Sequence, residues 1–203
     1  MDPRQHWNQI YRTKGPRVSW FESVPALSLE LLDAAGLTPE MCVLDVGGGE
    51  STLVDVLLAR GLDCVRVLDV SGEAIEHARA RLGAAAHIVN WIEADVVGSW
   101  DCEPVDIWHD RAVFHFLVSA AERDAYRAHL LSTLKHGGKV IIGTFALDGP
   151  DMCSGLPVSR YSAATLAREL GDAFTLEDER RHTHVTPSGV SQPFQFARLR
   201  RVT

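Results

Sequence analysis

The stretch Val43-Leu44-Asp45-Val46-Gly47-Gly48-Gly49-Glu50-Ser51 decides how the rest of the chain is read. An apolar run beginning at Met41 ends on Val46, as a strand buried on both faces does. Three consecutive glycines then turn the chain. Beyond them Leu53, Val54, Leu57 and Leu58 fall on one face of a helix that Gly61 stops. Glycine tolerates positive φ and lets a ligand come close to the backbone. In an open α/β sheet such a turn lies in the crevice beyond the carboxyl ends of the strands, where ligands bind. The spacing is not G-x-G-x-x-G, and Glu50 would set a negative charge beside any phosphate at the helix N-terminus. No P-loop pattern occurs. Taken alone, the glycines leave a plain tight turn as the lesser reading.

Outward from this turn, short β-rich runs alternate with helical ones. Strands are expected at Cys64–Val70, His87–Ile92, Val105–His109 and Lys139–Ala146. Helices are expected from Ser71 to about Leu82, ended by Gly83, and over Glu122–Leu134, ended by His136-Gly137-Gly138. That alternation predicts βαβ units and a parallel sheet. A helix at Ala163–Leu170 precedes strands at Phe174–Arg181 and Phe194–Leu199. Their connection, His182–Gln192, has no room for a crossover helix, so this last pair is predicted to be antiparallel. The whole reads as a single domain, 1–203: an arm over 1–23 carrying Trp7, Tyr11 and Trp20, then a core over 24–203.

The 203 residues, 46% hydrophobic and 23% charged, match ordinary globular domains and exclude disordered, collagen-like and coiled-coil classes. A net charge of −7 disfavours a nucleic-acid partner, and Arg180-Arg181 and Arg198–Arg201 read as solvated strand ends. No apolar stretch approaches the length of a membrane span, and the N-terminal residues lack the apolar centre of a secretory signal. Four cysteines, Cys42, Cys64, Cys102 and Cys153, show no paired spacing; Cys42 and Cys64 read as small buried hydrophobes. A cytoplasmic, reduced setting is the expectation.

Two further strand ends carry acids. Asp69 closes the second strand, twenty residues after Gly49, where a carboxylate accepts hydrogen bonds from a ribose diol. Asp95, in Glu93-Ala94-Asp95, follows the third strand and can accept the exocyclic amine of adenine. Together with the glycine turn these ends describe a site for an adenosine without a phosphate.

The series VLDVGGGES, VLDVS, WIEADV, DIWHDRAVFHFL and LKHGGKVII resembles the class I S-adenosylmethionine-dependent methyltransferases over Leu37 to Phe145. The resemblance implies a Rossmann-like α/β fold: a seven-stranded, mostly parallel sheet with an antiparallel last strand and helices on both faces. It implies S-adenosyl-L-methionine as cofactor and S-adenosyl-L-homocysteine as product. Gly47, Gly48 and Gly49 would meet the methionine part, and Asp69 the ribose. Asp95 would meet the adenine, flanked by Val70 and Val96. Asp45 would stand near the amino group, directly or through water. IWHDRAVFHF, Ile107 to Phe116, is similar to the W-D-R-G-A motif of the thiopurine and thiol methyltransferase group. There the arginine serves the cofactor and substrate end of the pocket, and Arg111 matches it. The arm HWNQIYRTKGPRVSWFES resembles that group's lid, and also the arm of lysine methyltransferases acting on translation factors. Those enzymes tend to carry Asp-Lys where this chain has Asp110-Arg111. The segment Gly149 to Pro157 departs from the group's G-P-P-F stretch, being longer and holding Cys153.

Methyl transfer from a sulfonium needs mainly alignment, and a proton acceptor only when the nucleophile is a hydroxyl or an ammonium. His109, Asp110 and Arg111 are the candidates for catalysis. His109 is also readable as a core histidine, and Asp110 as a partner of Arg111 or a cap of the next turn. His115, Cys153 and Arg160 are candidates on the acceptor side, although His115 reads equally as packing between Phe114 and Phe116 and Cys153 as an ordinary loop thiol. Trp7, Tyr11 and Trp20 are expected over the cofactor as a lid, hinged at Gly15 and Pro16, or else as core staples. His182 and His184 alternate as metal ligands can, but no sequence neighbour completes the set, so no metal is expected. The expected acceptor is a small molecule with a soft centre such as a thiol. A protein lysine substrate is the alternative, and a non-enzymatic cofactor-binding module the third reading.

Overall fold

The computed structural model describes residues 2–14 and 18–203. Nine strands and six helices follow in order: α1 (Pro3–Lys14), α2 (Ala26–Ala34), β1 (Val43–Val46), α3 (Leu53–Ala59), β2 (Val65–Asp69), α4 (Gly72–Leu82), β3 (Asn90–Glu93), β4 (Val105–Arg111), α5 (Ala120–Thr133), β5 (Leu134–Phe145), β6 (Met152–Cys153), β7 (Leu156–Pro157), α6 (Ala163–Leu170), β8 (Phe174–Val185) and β9 (Ser191–Arg201). Seven strands form one sheet in the order β3-β2-β1-β4-β5-β9-β8, and β6 pairs with β7 as a small hairpin. The pairs from β3 across to β5 are parallel, while β9 runs antiparallel to both β5 and β8. This is the Rossmann-like α/β sheet with one reversed strand. The strand order reverses at β1, so the crevice at its carboxyl end lies between the loops after β1 and β4.

Alternation along the strands sorts side chains to the two faces. Leu44, Val46 and Trp108 enter an apolar cluster with Tyr126 and Leu130 of α5 and Leu166 of α6. Val43 and Ile107 enter the opposite one, with Leu31 and Leu32 of α2 and Leu53 and Leu57 of α3. Local signals set the helix ends. Ser71 caps α4 by accepting from the Ala74 amide, and Ser119 and Glu122 form a reciprocal cap on α5.

Three expectations need correction. The third strand starts at Asn90 instead of His87, because a short 3-10 turn over Gly83–Ile88 intervenes and Trp91 Nε1 donates to the Ala86 carbonyl. His136-Gly137-Gly138 does not close α5. Leu134 already pairs with Val105, and the glycine segment absorbs a register shift before Lys139 pairs with Ile107. Gly137 takes φ 76°, which a side chain would resist. Finally, Cys42 and Cys64 are joined as a disulfide with their Cα atoms 4.6 Å apart, against the reduced reading. They precede the paired residues Val43 and Val65 on neighbouring strands, so the sheet brings together thiols that the sequence keeps 22 positions apart.

The arm is helical. α1 lies against the start of α4, where Asn8 Oδ1 accepts from Ser71 Oγ at 2.8 Å and Arg12 Nε donates to Glu73 at 2.8 Å. Arg4 reaches Glu93 at the end of β3. The hinge expected at Gly15 and Pro16 lies outside the described residues. Among the described residues no helix is long and apolar enough to cross a membrane.

Candidate functional site

A cavity of about 340 Å³ opens over the carboxyl ends of β1, β2 and β4. Its walls come from successive strand ends, and the alternation of the strands decides which side chains arrive there. Asp45 lies in β1, followed by Gly47, Gly48 and Glu50; Asp69 ends β2 and Val70 follows it; Asp95 and Val96 follow β3; His109 and Arg111 lie at the end of β4. Trp7, Tyr11 and Trp20 cover it from the arm, and Cys153 reaches it from the β6–β7 hairpin. Gly49, Asp110, His115 and Arg160 do not line it.

The glycine turn is built for close packing. Gly47 takes φ 66°, its amide donates to the Leu68 carbonyl at 2.7 Å, and a Cβ there would stand 2.1 Å from Val113 Cγ2. A Cβ on Gly48 would come within 2.6 Å of Asp45 Oδ2 and 2.9 Å of Val67 Cγ1. One on Gly49 would meet Asp69 Oδ2 at 2.6 Å. The second and third glycines thus make room for the protein's own carboxylates.

Those carboxylates are held unevenly. Asp45 Oδ1 meets His109 Nδ1 at 2.7 Å, and His109 Nε2 meets Ser28 Oγ at 2.9 Å, all three residues being buried. Glu50 Oε1 meets His77 Nδ1 at 2.7 Å. The other oxygens, Asp45 Oδ2 and Glu50 Oε2, are buried with no partner among the described residues. A buried carboxylate oxygen without a donor is costly, so the pair suits a ligand that brings a cation or donors. Glu50 was weighed in the sequence only as an argument against phosphate; its place in the cavity wall and its anchor on His77 depend on the folded turn.

Asp69 accepts from the Ser71 amide at 2.8 Å, yet burial, with Asp45 adding negative charge, pushes its carboxyl up to about 7. A pair of hydroxyl donors would stabilise its charged form. Beside it Tyr11 is buried and its phenol is held well above the usual range by desolvation first, then by Asp69. Trp7 packs edge-on against Trp20 and Phe116, with ring centroids 5.5 and 5.1 Å away, and Tyr11 against Trp20 at 6.2 Å. Asp95 Oδ1 accepts from the Val97 amide at 3.1 Å.

Four candidates are placed elsewhere, and β4 explains one of them. Consecutive strand residues point to opposite faces, so Asp110 turns away from His109 and Arg111. It accepts from the Val113 and Phe114 amides at 2.9 and 3.1 Å and from the Tyr126 hydroxyl at 2.8 Å, and burial raises its carboxyl to about 6. It caps the turn and makes no ion pair with Arg111. Arg111 instead faces Glu22 at 3.5 Å. His115 is buried between Phe116 and Phe145, where desolvation lowers its imidazole to about 3. Arg160 Nη1 donates to the Gly149 carbonyl at 3.1 Å and braces the loop after β5. Glu22 and Phe116 line the cavity without having been singled out, because loop and turn positions carry no periodic signal.

Residues 43–138 match the family model of a methyltransferase domain. No curated sequence matches the chain. Among solved structures it is similar to one from work on the conversion of a disulfide bond into a thioacetal group during echinomycin biosynthesis, at TM-score 0.76 and 23% identity, over 98% of this chain and 93% of that one. It is also similar to the 1,6-didemethyltoxoflavin-N1-methyltransferase of Burkholderia thailandensis with bound S-adenosylhomocysteine, at TM-score 0.70 and 19% identity, over 98% and 84%. A third is the magnesium protoporphyrin IX methyltransferase of Synechocystis with the same product bound, at TM-score 0.71 and 17% identity, over 98% and 97%. The matched stretch contains the glycine turn, Asp69, Asp95 and Arg111, all but Gly49 of which line the cavity. Over residues 43–138 the chain is a methyltransferase domain, set in a Rossmann-like fold that it shares with these structures.

Proposed function

We propose that this methyltransferase acts on a small molecule through a soft, readily ionised centre such as a thiol, in the manner of the thiopurine and thiol methyltransferase group. The observation that supports this is the state of the three side chains that stood as proton acceptors. His109 spends one nitrogen on Asp45 and the other on Ser28. Asp110 is committed to a turn and to Tyr126 on the far face of β4. His115 is buried beyond the cavity wall. A thiolate needs no base, whereas an ammonium or a hydroxyl does.

In this reading Asp45 and Glu50 hold the ammonium end of the cofactor, Asp69 the ribose diol and Asp95 the adenine amine, with Val70 and Val96 against the ring. The cofactor supplies a methyl group already activated on a sulfonium. The chain supplies alignment, which is worth up to roughly 7–11 kcal/mol in well-oriented reactions. Residues 1–23 act as a lid on the core formed by 24–203, with Trp7, Tyr11 and Trp20 excluding water from the reacting atoms. Arg111, which lines the cavity beside Glu22, orients an acidic group of the acceptor or the carboxylate of the cofactor. A screen with methyl-labelled cofactor, comparing small thiols with small amines, phenols and cell-lysate proteins, tests the reading. Labelled small thiols are the expected result; label confined to proteins overturns it.

A further inference from the structure

His182 and His184 lie on the same face of β8, two positions apart, and meet the last residues of the arm. Glu22 is one of those residues. Its Oε1 lies 3.1 Å from His184 Nδ1 and 3.7 Å from His182 Nε2, and the three ligand atoms all fall within 4.8 Å of one another. Among the described residues this is the group of His, Cys, Asp and Glu side chains that converges as metal ligands do. The sequence supplied the two histidines and lacked the carboxylate, which is 160 positions away from His182 and joins them only in the folded chain.

The hydrogen bonding of His184 carries the argument further. Its Nε2 lies 2.6 Å from the Ser19 carbonyl. A carbonyl can only accept, so Nε2 bears the proton, and Nδ1 of the neutral ring presents a lone pair to Glu22 Oε1. Two lone pairs facing at 3.1 Å repel unless a cation lies between them. A main-chain carbonyl gripping the far ring nitrogen is also how metal-bound histidines are oriented. A proton would satisfy one nitrogen–oxygen pair; a metal ion uses all three atoms.

We propose that Glu22, His182 and His184 bind a divalent transition-metal cation of the zinc type at the rim of the cavity, pinning the end of the arm to β8. Two imidazoles and one carboxylate are a ligand set that zinc accepts with a further position open. Glu22 lines the cavity while the histidines stand behind it, so the site adjoins the acceptor space without belonging to the cofactor floor. Arg111 is the opposed charge, 3.5 Å from the same Oε1 and beyond hydrogen-bond length, and the cation competes with it for that oxygen.

Equilibrium dialysis of zinc ion against the full chain near neutral pH tests this directly, without any assay of methyl transfer. One saturating equivalent is expected, with a rise in melting temperature. Cobalt(II) in its place should give a visible spectrum without a thiolate charge-transfer band. Glu22→Gln and His182→Ala should each weaken zinc binding at least tenfold while melting cooperatively. These two variants are used because His184 is buried and its removal endangers the hairpin. Absence of saturable binding, binding indifferent to both variants, or a thiolate band pointing to a cysteine would each overturn the proposal and leave a proton as the cation between His184 and Glu22.

Discussion

Asp45 and His109 are register partners on the neighbouring strands β1 and β4, and their side chains meet at 2.7 Å on the same face of the sheet. The pairing decides what each can do. His109 is consumed at both nitrogens, and Asp45 is oriented with its second oxygen unpartnered among the described residues. His109→Ala should therefore cost about 1–3 kcal/mol of stability, the scale of a buried polar group left unpaired. It should weaken S-adenosylhomocysteine binding in calorimetry by about tenfold. The shape of the pH–rate profile should survive, and loss of a limb of that profile would restore His109 as the base.

If Asp69 meets the ribose as proposed, cofactor affinity should depend on pH in a defined direction. In the unliganded chain its carboxyl titrates at about 7, and a ribose diol donating to it favours the ionised form. Binding then releases a proton, so affinity rises with pH and levels off above about 7. The slope should approach tenfold per pH unit between about pH 5 and 7. Asp69→Asn should abolish the slope and weaken binding by about 1.5–3 kcal/mol. A flat wild-type profile across that window would remove Asp69 from the ribose role.

Gly48 has no room to spare. A side chain there meets the Asp45 carboxylate and Val67 before it meets any ligand, and Asp45 is braced from behind by His109. Gly48→Val should lower stability by about 1–3 kcal/mol through overpacking and lower cofactor affinity at least tenfold. Thermal melting beside calorimetry separates the two effects. Normal affinity in a folded variant would reduce the glycine run to a turn.

Arg111 and Asp110 are neighbours in sequence with separate consequences in the fold. Arg111→Lys exchanges a planar fork for a point charge beside Glu22 and should lower kcat/KM at least tenfold, about 1.4 kcal/mol, on whichever acceptor the labelling screen finds. Asp110→Asn should instead act on stability, since its oxygens hold the turn at Val113 and Phe114. Steady-state kinetics with melting curves read both. Wild-type kinetics in Arg111→Lys would mean that the guanidinium only packs.

What the sequence by itself determined is whatever depends on neighbours along the chain. The two-sided apolar run before Gly47, the helix stops at Gly61 and Gly83, and the acids Asp69 and Asp95 at strand ends are local patterns. A βαβ chain translates them almost directly into a cavity wall, because every parallel strand delivers its carboxyl end to the same edge of the sheet. Even the separation of His109 from Asp110 was latent in the period of a strand, once β4 was known to continue to Arg111. Tertiary structure alone decided the pairs that bring distant stretches together. Cys42 meets Cys64 because β1 and β2 are adjacent, Ser28 meets His109 because α2 lies across β4, and Glu22 meets Arg111, His182 and His184 because the arm returns over β8. Such contacts leave no periodicity in the sequence, since the partners are set by how the sheet stacks its strands and by where the arm comes to rest.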